Sequence, residues 1–350
     1  MATGVVRRRD GRYMGRVSVD GRRYTVYGAS EAEARQKLQA LLQRLGTGWR
    51  APAPVTLDEL VERWLTTQAP RWKPRTLADY RTLYQRHLAA ALGPHKLARL
   101  VPDRLERALA SVPGERTRWA CYRLLHACLA KGVRWGYLGE NPLDRVDPPP
   151  YQPRRKPLPS LGELRERLLR AQDDPWWPWV VLGVSCGLRP AEQAALTWAD
   201  LDEETGRLRV ERALVWLPGQ VLVDTPKTAR SRRTLSLPPL ALVALERQRA
   251  LVAERRARAR DWVEHDLVFP GERGQPLQLS VVDRHVRRLV GVTPHQLRHL
   301  HASLLLEAQV PLPLVSARLG HATPHVTARI YAHALQDDRT VVERVHELLG

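Results

Sequence analysis

The segments TPHQLRH (residues 293–299) and LGHATPHVTARIYAH (residues 319–333) each place imidazole, guanidinium or phenol groups beside a predicted helix end. Thr293 is a preferred N-cap residue, and Pro294 is a preferred first helical residue. Together they predict a helix that begins at the first segment and continues through HASLLLEA (residues 301–308), whose leucines supply the buried side.

The polar groups of these segments are predicted to lie at neighbouring helix ends. His295 and Arg298 are three residues apart, so they share one face of the first helix. VPLPLVSARLG (residues 310–320) predicts the next helix, with Gly320 as its stop. His321 therefore leaves the C-terminus of that helix.

Histidines are dense in this part of the chain. Thr323 and Pro324 repeat the start signal and predict one more helix, which carries Tyr331. Six histidines lie between residues 295 and 333, so a metal site is an alternative. No carboxylate or thiol is spaced among them as a metal ligand usually is, and no HExxH pattern occurs. We therefore predict no metal and no cofactor, and we expect His325 and His333 to be surface or packing residues.

Composition indicates a basic protein of several domains. The chain has 350 residues, and 56 Lys plus Arg against 37 Asp plus Glu give a formal charge of +19. Such an excess suits a polyanion, because each neutralised phosphate releases a condensed counterion. Two alternatives could also explain the positive charge: a ribosomal-type protein, or a general preference for arginine in the sequence.

Cysteine usage and hydropathy indicate the compartment. Cys121, Cys128 and Cys186 form no CxxC pair, which favours a reducing environment, and the first two lie on an apolar helix stripe. The chain shows no secretory signal and no apolar run long enough to span a bilayer. We expect a cytoplasmic protein that is associated with the nucleoid and has no membrane partner.

The first 50 residues predict a small basic domain with a sheet and one helix. Asp-Gly pairs at 10–11 and 20–21 separate three short runs rich in β-branched and aromatic residues. SEAEARQKLQALLQRLG (residues 30–46) carries a helix start and stop. We expect this domain, residues 1–50, to bind DNA, with a solvated charged face as the alternative. The candidate contacts are Arg7, Arg8, Arg9, Arg12, Arg16, Arg22 and Arg23.

An all-helical domain is predicted at residues 55–147. It follows the linker APAPV, and Thr56 with Glu59 forms a capping-box pattern at its start. Helical periodicity recurs in four segments, each closed by Gly, Pro or Asn: residues 56–68, 74–92, 102–111 and 115–138. Basic groups in this domain could contact backbone phosphates, although a charged outer face is an equal alternative for any one of them. Those candidates are Lys73, Arg75 and Arg81.

A second linker precedes a mixed, mainly helical (α+β) domain with a small antiparallel sheet at residues 157–350. The linker, residues 147–160, has six prolines in fourteen residues and cannot continue a helix. Residues 173–187, DDPWWPWVVLGVSCG, predict a buried helix that ends at its final glycine. Residues 208–238 predict three strands, with turns at LPGQ and TPKTARSR.

Arg189 stands just before Pro190, at the entrance of a predicted helix. An arginine there can bind two phosphate oxygens while the helix N-terminus adds its own positive end. Glu192 either braces this guanidinium or is a first-turn acid favoured by the helix dipole.

Five motifs in this order resemble those of tyrosine recombinases, the family of phage integrases and related site-specific recombinases. They are GLRPAE (187–192), TPK (225–227) on a predicted turn, HxxRH (295–299), LGH (319–321) and Tyr331. The resemblance covers roughly residues 160–345, and the ordered set is far more specific than any one part. The helical domain is similar to the family's core-site-binding domain, and the basic sheet to the arm-binding domain of integrases.

The resemblance implies a complete active site, composed of Arg189, Lys227, His295, Arg298, His321 and the nucleophile Tyr331. Two features of the sequence support it independently. Tyr331 is the only tyrosine after Tyr151, and Lys227 is the only lysine after Lys156 in a chain that otherwise uses arginine. Lysine can give up a proton at usable pH, whereas arginine cannot.

The same resemblance implies a role for each group. Tyr331 forms a 3′-phosphotyrosyl link, Lys227 protonates the released 5′-hydroxyl, and the two arginines neutralise the phosphate oxygens. His295 is expected to accept the phenol proton. His321 is expected to donate to the phosphate, at a position that the family fills with His or Trp.

Supporting positions and partners complete the expectation. His299 is expected to pack, buried, against a helix, and His301 stands where the family commonly has an aromatic residue. Double-stranded DNA with specific recombination sites is the expected partner, together with DNA-bending or directionality factors. The amphipathic C-terminal helix, residues 337–349, is expected to dock on its own domain or on a neighbouring subunit of a DNA-bound homotetramer.

The leading interpretation is an integrase of a phage or mobile element. A chromosome-dimer-resolving or transposon recombinase shares the chemistry, but the basic N-terminal sheet favours the integrase. A type IB topoisomerase also shares it. An inactive DNA-binding relative is a further alternative, against which the complete set of catalytic residue types counts.

Overall fold

A computed structural model describes residues 4–8, 10–19, 22–46, 53–152, 157–224 and 232–321, with residues 323 and 328. The chain divides into two compact units, Met1–Pro153 and Arg154–Gly350. Several predicted features lie outside the described residues, namely Arg9, Lys227, His325, Tyr331, His333 and the helix at 337–349.

The basic N-terminal segment forms the predicted three-stranded sheet and helix. The antiparallel strands β1 (Gly4–Arg7), β2 (Tyr13–Val19) and β3 (Arg22–Gly28) pair in sequence order, and α1 (Glu31–Gly46) follows. Ser30 caps the helix, because its hydroxyl accepts from the backbone N–H of Glu33 at 3.2 Å. Val17, Ala34 and Leu38 are buried between the sheet and α1.

The second part of this unit is the predicted helical module. Its α-helices are α2 (Leu57–Gln68), α3 (Pro74–His87), α4 (Ala89–Leu92), α5 (Pro102–Ala110) and α6 (Glu115–Arg134). Short 3₁₀ turns occur at Leu97–Arg99 and Pro142–Arg145. The capping box of Thr56 and Glu59 is present, and Cys121 and Cys128 are core residues as expected.

Two predicted helices of this module are wrong in their extent: α6 ends at Arg134 rather than at residue 138, and the helix at 74–92 is broken. The segment 74–92 is not continuous, because Leu88 leaves helical geometry at φ −125° and separates α3 from α4. The break lets both Leu88 and Leu92 become fully buried in the module's core. Tertiary burial thus outweighs helix propensity, which alone favours one straight helix through the alanines.

Helices dominate the unit Arg154–Gly350. They are α7 (Leu161–Arg170), α8 (Trp177–Cys186), α9 (Pro190–Ala194), α10 (Pro239–Arg258), α11 (Leu279–Val290), α12 (Pro294–Glu307) and α13 (Leu312–Leu319), with a 3₁₀ turn at Trp198–Asp200. α8 is buried along almost its whole length, as its apolar sequence predicts, and packs against both α10 and α12. Within the described ranges, no helix has both the length and the apolar character to cross a membrane.

The described strands of this unit form two antiparallel sheets rather than the one that was predicted. β4 (Leu201–Asp202), β5 (Arg207–Val210) and β8 (Arg233–Ser236) make one sheet, and β6 (Ala213–Leu217) pairs with β7 (Gln220–Asp224) in the other. The predicted first strand is therefore two, broken at Glu211 and Arg212. At the break, the Arg212 guanidinium donates to the carboxylate of Asp200 at 2.5 Å and to Thr197 Oγ1 at 2.8 Å.

Candidate active site

The end of α8 is the first element of the site. Gly187 caps the helix in the left-handed region, with φ 63°, a conformation that a glycine adopts without strain. A side chain at this position would overlap the ring of His301 on α12. The glycine thus ends α8 at the predicted residue and permits close approach of α12.

Arg298 links the ends of two helices. As predicted, α12 begins at Pro294, with a capping box between Thr293 and Gln296, and this start directs Arg298 inward, where it is 3% exposed. Its guanidinium donates to the Gly187 carbonyl at 2.8 Å and to the Leu319 carbonyl at 2.6 Å. Both carbonyls belong to helix C-termini, whose partial negative charge favours a cation.

Arg189 reaches the same end of α13. Its guanidinium donates to the Gly320 carbonyl at 3.1 Å and to the Glu192 carboxylate at 2.5 Å, and 34% of the side chain remains exposed. The bracing contact with Glu192 is therefore present. The backbone N–H of Arg189, the N-cap of the five-residue α9, also donates to Glu192 at 3.0 Å, and the expected contribution of the helix end to phosphate binding stays a prediction.

Glu192 is a buried carboxylate between two guanidiniums. Arg233 donates to its second oxygen at 3.0 Å, and the exposed fractions of the two side chains are 7% and 2%. Burial alone would raise the pKa of Glu192, but the charges of Arg233 and Arg189 outweigh it and hold the pKa below its usual value. Glu192 is thus ionised at neutral pH.

His295 and His299 stand one above the other on α12. Their ring centroids are 4.9 Å apart at an interplanar angle of 88°. His295 is at the surface and His299 is half-buried, which corrects the expectation that His299 is buried. Although the residue is exposed as a whole, its ring is partly desolvated, and this desolvation together with the positive charges of Arg298 and Arg189 lowers the pKa of His295. A neutral imidazole at this position can accept a proton.

His321 follows the end of α13 as predicted, with Gly320 in the left-handed region at φ 65°. It is half-buried, and its backbone N–H donates to the Ser316 carbonyl at 3.1 Å. Burial and the charges of Arg298 and Arg189 lower the pKa of His321 to about 4. The imidazole is therefore neutral at neutral pH and retains one N–H donor.

The described residues bring four guanidiniums together at this place, those of Arg189, Arg233, Arg298 and Arg318. Arg233 donates to the Arg318 carbonyl at 2.7 Å, and Arg318 donates to Nε2 of His301 at 3.1 Å. Glu192 neutralises only part of this charge, so the cluster remains positive. Its chemistry suits an anion such as a phosphodiester.

Two of these arginines were missed in the sequence. Arg233 lies in the run ARSRR, where no residue is distinguished by composition. Strand alternation offers the missing signal, because Arg233 shares a face of β8 with the buried Leu235. Arg318 directly precedes the motif LGH, and no local sequence feature distinguishes it either.

The other predicted DNA contacts lie in the unit Met1–Pro153. Within the N-terminal sheet, the described arginines are all exposed: Arg7, Arg8, Arg12, Arg16, Arg22 and Arg23. In the helical module, Lys73 is half-buried at the start of α3, Arg75 pairs with Asp79 at 2.9 Å, and Arg81 pairs with Glu62 at 2.7 Å. Exposed pairs of this kind are weak, so both arginines can exchange their carboxylate for a phosphate.

Metal ligands are not grouped in the part of the chain that the structure describes. No cluster of three or more His, Cys, Asp or Glu side chains occurs there with the geometry to hold an ion. The metal-free mechanism stays a prediction.

Sequence comparison identifies the family of this chain. The model described as "Phage integrase family" matches residues 167–337, and that described as "Phage integrase, N-terminal SAM-like domain" matches residues 56–110. An integrase of Streptomyces ambofaciens is 29% identical over 324 residues, which are 87% of this chain and 83% of that protein. The molecule is a tyrosine-type site-specific recombinase. It belongs to the phage integrase family.

Solved structures share the fold. The Tn1549 transposon integrase, in complex with a circular intermediate DNA, has a TM-score of 0.69 at 21% identity and covers 83% of this chain and 99% of its own. A lambda integrase tetramer bound to a Holliday junction has a TM-score of 0.58 at 18% identity, covering 91% and 92%. The prediction of a multidomain, mainly helical fold with small antiparallel sheets is thus confirmed at this level.

Proposed function

We propose that the protein is the integrase of a phage or another mobile element, which cuts double-stranded DNA at specific sites and rejoins the strands to new partners. The observation that carries the proposal is the positive cluster at the ends of α8 and α13, where Arg298 and Arg189 lie beside His295 and His321. During phosphoryl transfer, negative charge is concentrated on the non-bridging oxygens, which two guanidiniums are suited to neutralise.

In the proposed reaction, the phenol oxygen of Tyr331 attacks the scissile phosphorus and the bond from phosphorus to the 5′ oxygen breaks. His295 takes the phenol proton, and Lys227 gives a proton to the leaving oxygen. The products are a 3′-phosphotyrosyl link and a free 5′-hydroxyl. Because one phosphoester replaces another, a 5′-hydroxyl from a second duplex can reverse the step and join a new strand.

The lowered pKa values support the roles of the two histidines. A proton acceptor must be neutral before the reaction, and the pKa of His295 lies below its usual value. His321, with a pKa of about 4, is neutral as well and uses its N–H to donate to a phosphate oxygen. Glu192 supports Arg189 through its carboxylate, and His299 supports His295 through the contact between their rings.

We assign residues 1–50 to arm-type DNA sites, residues 55–147 to core-type sites and residues 157–350 to catalysis. Six exposed arginines on and beside the N-terminal sheet support the first assignment. The helix at 337–349 is proposed to link a homotetramer on DNA, assisted by DNA-bending or directionality factors. We place this assembly on the nucleoid, in the cytoplasm.

The test is capture of the covalent intermediate. The substrates are duplexes of random sequence, each with a nick that lets the cleaved end diffuse away. They are incubated with protein in EDTA, and duplexes that remain covalently bound to protein after denaturation are selected. Wild type is expected to select a defined sequence. Trypsin should place the nucleotide on the peptide Ile330–Arg339, which contains Tyr331.

Two variants make the result decisive. Tyr331→Phe is expected to bind the selected duplex but to form no adduct, whereas Tyr122→Phe, on α6, is expected to react like wild type. An adduct that persists in Tyr331→Phe, or that requires magnesium, refutes the mechanism. Relaxation of plasmids that lack the selected site would instead favour a topoisomerase, and binding without any adduct an inactive relative.

A further inference from the structure

Arg233 shares the carboxylate that braces Arg189. Glu192 accepts from Arg189 Nη1 on one oxygen, at 2.5 Å, and from Arg233 Nη2 on the other, at 3.0 Å. Arg233 is the more deeply buried partner, with 7% of its side chain exposed against 34% for Arg189. The outer arginine can therefore face a ligand while the inner one faces the protein.

The two arginines also hold the same helix end. Arg233 Nε donates to the Arg318 carbonyl at 2.7 Å, and Arg189 Nη2 donates to the Gly320 carbonyl at 3.1 Å. Both carbonyls lie at the C-terminus of α13, one and three residues before His321. Arg233 thus connects Glu192 to the segment that positions this histidine.

Arg233 is, in addition, the first residue of β8, where it pairs with Val210 of β5. Strand pairing therefore fixes the backbone from which the Arg233 guanidinium reaches Glu192.

We propose that Arg233 is a positioning residue for strand cleavage: it orients the Glu192 carboxylate, and through it the Arg189 guanidinium. The proposal rests on the proposed function. A planar guanidinium can serve two acceptors in fixed directions, whereas an ammonium is a single point charge. Arg233→Lys therefore keeps the charge and loses the geometry.

The experiment measures single-turnover cleavage of the selected nicked duplex at saturating protein. For Arg233→Lys we expect the rate constant to fall about 10- to 100-fold, the loss typical of a small misplacement of reacting groups. The dissociation constant for the duplex should change less than about twofold, because a buried side chain makes little contact with DNA. A purely structural role would instead reduce the reaction amplitude and the melting temperature, and leave the rate constant of the folded fraction unchanged.

Arg212→Lys is the matched control. Arg212 also pairs with a largely buried carboxylate, that of Asp200 at 2.5 Å, in the same unit. It makes no contact with Glu192 among the described residues, so its variant should cleave at the wild-type rate. A second comparison combines Arg233→Lys with Glu192→Gln. If Arg233 acts through Glu192, the double variant should be no slower than the slower single variant.

Each outcome decides one question. An unchanged rate constant in Arg233→Lys, or fully multiplicative losses in the double variant, overturns the role of Arg233. If Arg233→Lys fails to fold, Glu192→Asp replaces it, because this variant retracts the same carboxylate by one methylene group. Glu192→Asp must then show the loss in the cleavage rate constant. A wild-type rate constant in Glu192→Asp also refutes the proposal. Failure of wild type itself to form an adduct counts against the proposed function.

Discussion

Acidification is predicted to destabilise the unit Arg154–Gly350 through one buried imidazole. His301 is 4% exposed, its Nδ1 faces the Val184 carbonyl at 2.8 Å, and its Nε2 faces Nε of Arg318 at 3.1 Å. A guanidinium can only donate, so Nε2 must be the acceptor and the hydrogen must be on Nδ1. Protonation would place a second cation against Arg318.

The size of the effect follows from the pKa. Burial and the charge of Arg318 lower the pKa of His301 from 6.5 to about 4. Between these values the unfolded chain binds a proton that the folded chain does not, so the free energy of unfolding falls as pH falls through this window. The full loss is about 3 kcal/mol, and the part between pH 7 and pH 5 is about 2 kcal/mol.

Hydrogen exchange of α8 and α12 amides reports this free energy for the relevant helices. His301→Gln can keep both hydrogen bonds but cannot titrate. Between pH 7 and pH 5, its free energy of unfolding should therefore fall by about 2 kcal/mol less than that of wild type. His126→Gln removes an exposed histidine that is paired with Asp144. In this control, acidification should lower the free energy of unfolding as much as it does in wild type. Equal acid sensitivity of wild type and His301→Gln would refute the reasoning.

Three further predictions concern the site. Glu192→Gln leaves two guanidiniums without their carboxylate and should lower the free energy of unfolding by about 3 kcal/mol at pH 7 in urea titrations, an effect that shrinks in acid as the wild-type carboxylate is protonated. Gly187→Ala combines a left-handed φ with overlap on the His301 ring and should cost about 2 kcal/mol or more, whereas Gly219→Ala, at φ 76° in open space, should cost only the backbone part. Lys227→Arg keeps the charge but not the proton, so adduct formation should slow by about 100-fold or more at unchanged DNA affinity; a wild-type rate there would remove the lysine from the mechanism.

Helix ends were the most predictable part of the fold and of the site. The start of α12 at Thr293 and Pro294, and the stops of α8 at Gly187 and of α13 at Gly320, follow from interactions within four or five residues. Such local signals do not depend on what the rest of the chain does. They place Arg298 near the start of α12 and His321 just after the end of α13, as the structure shows.

Features that depend on distant packing were not predictable. The break at Leu88 depends on the module's core, and the break at Glu211 and Arg212 depends on the ion pair between Arg212 and Asp200. Strand alternation places Arg233 on the buried face of β8, but its partners Glu192 and Arg318 are 41 and 85 residues away in the sequence. Only the folded chain shows which groups this arginine binds.

The contacts of Arg298 have an evolutionary consequence. Its guanidinium satisfies terminal carbonyls of α8 and α13, so losing it would disturb folding even in a protein that never cuts DNA. Selection for a stable fold is therefore sufficient to preserve this arginine in a relative that binds DNA without cutting it. The presence of Arg298 in a sequence indicates a stable domain and does not by itself show that the protein cleaves DNA.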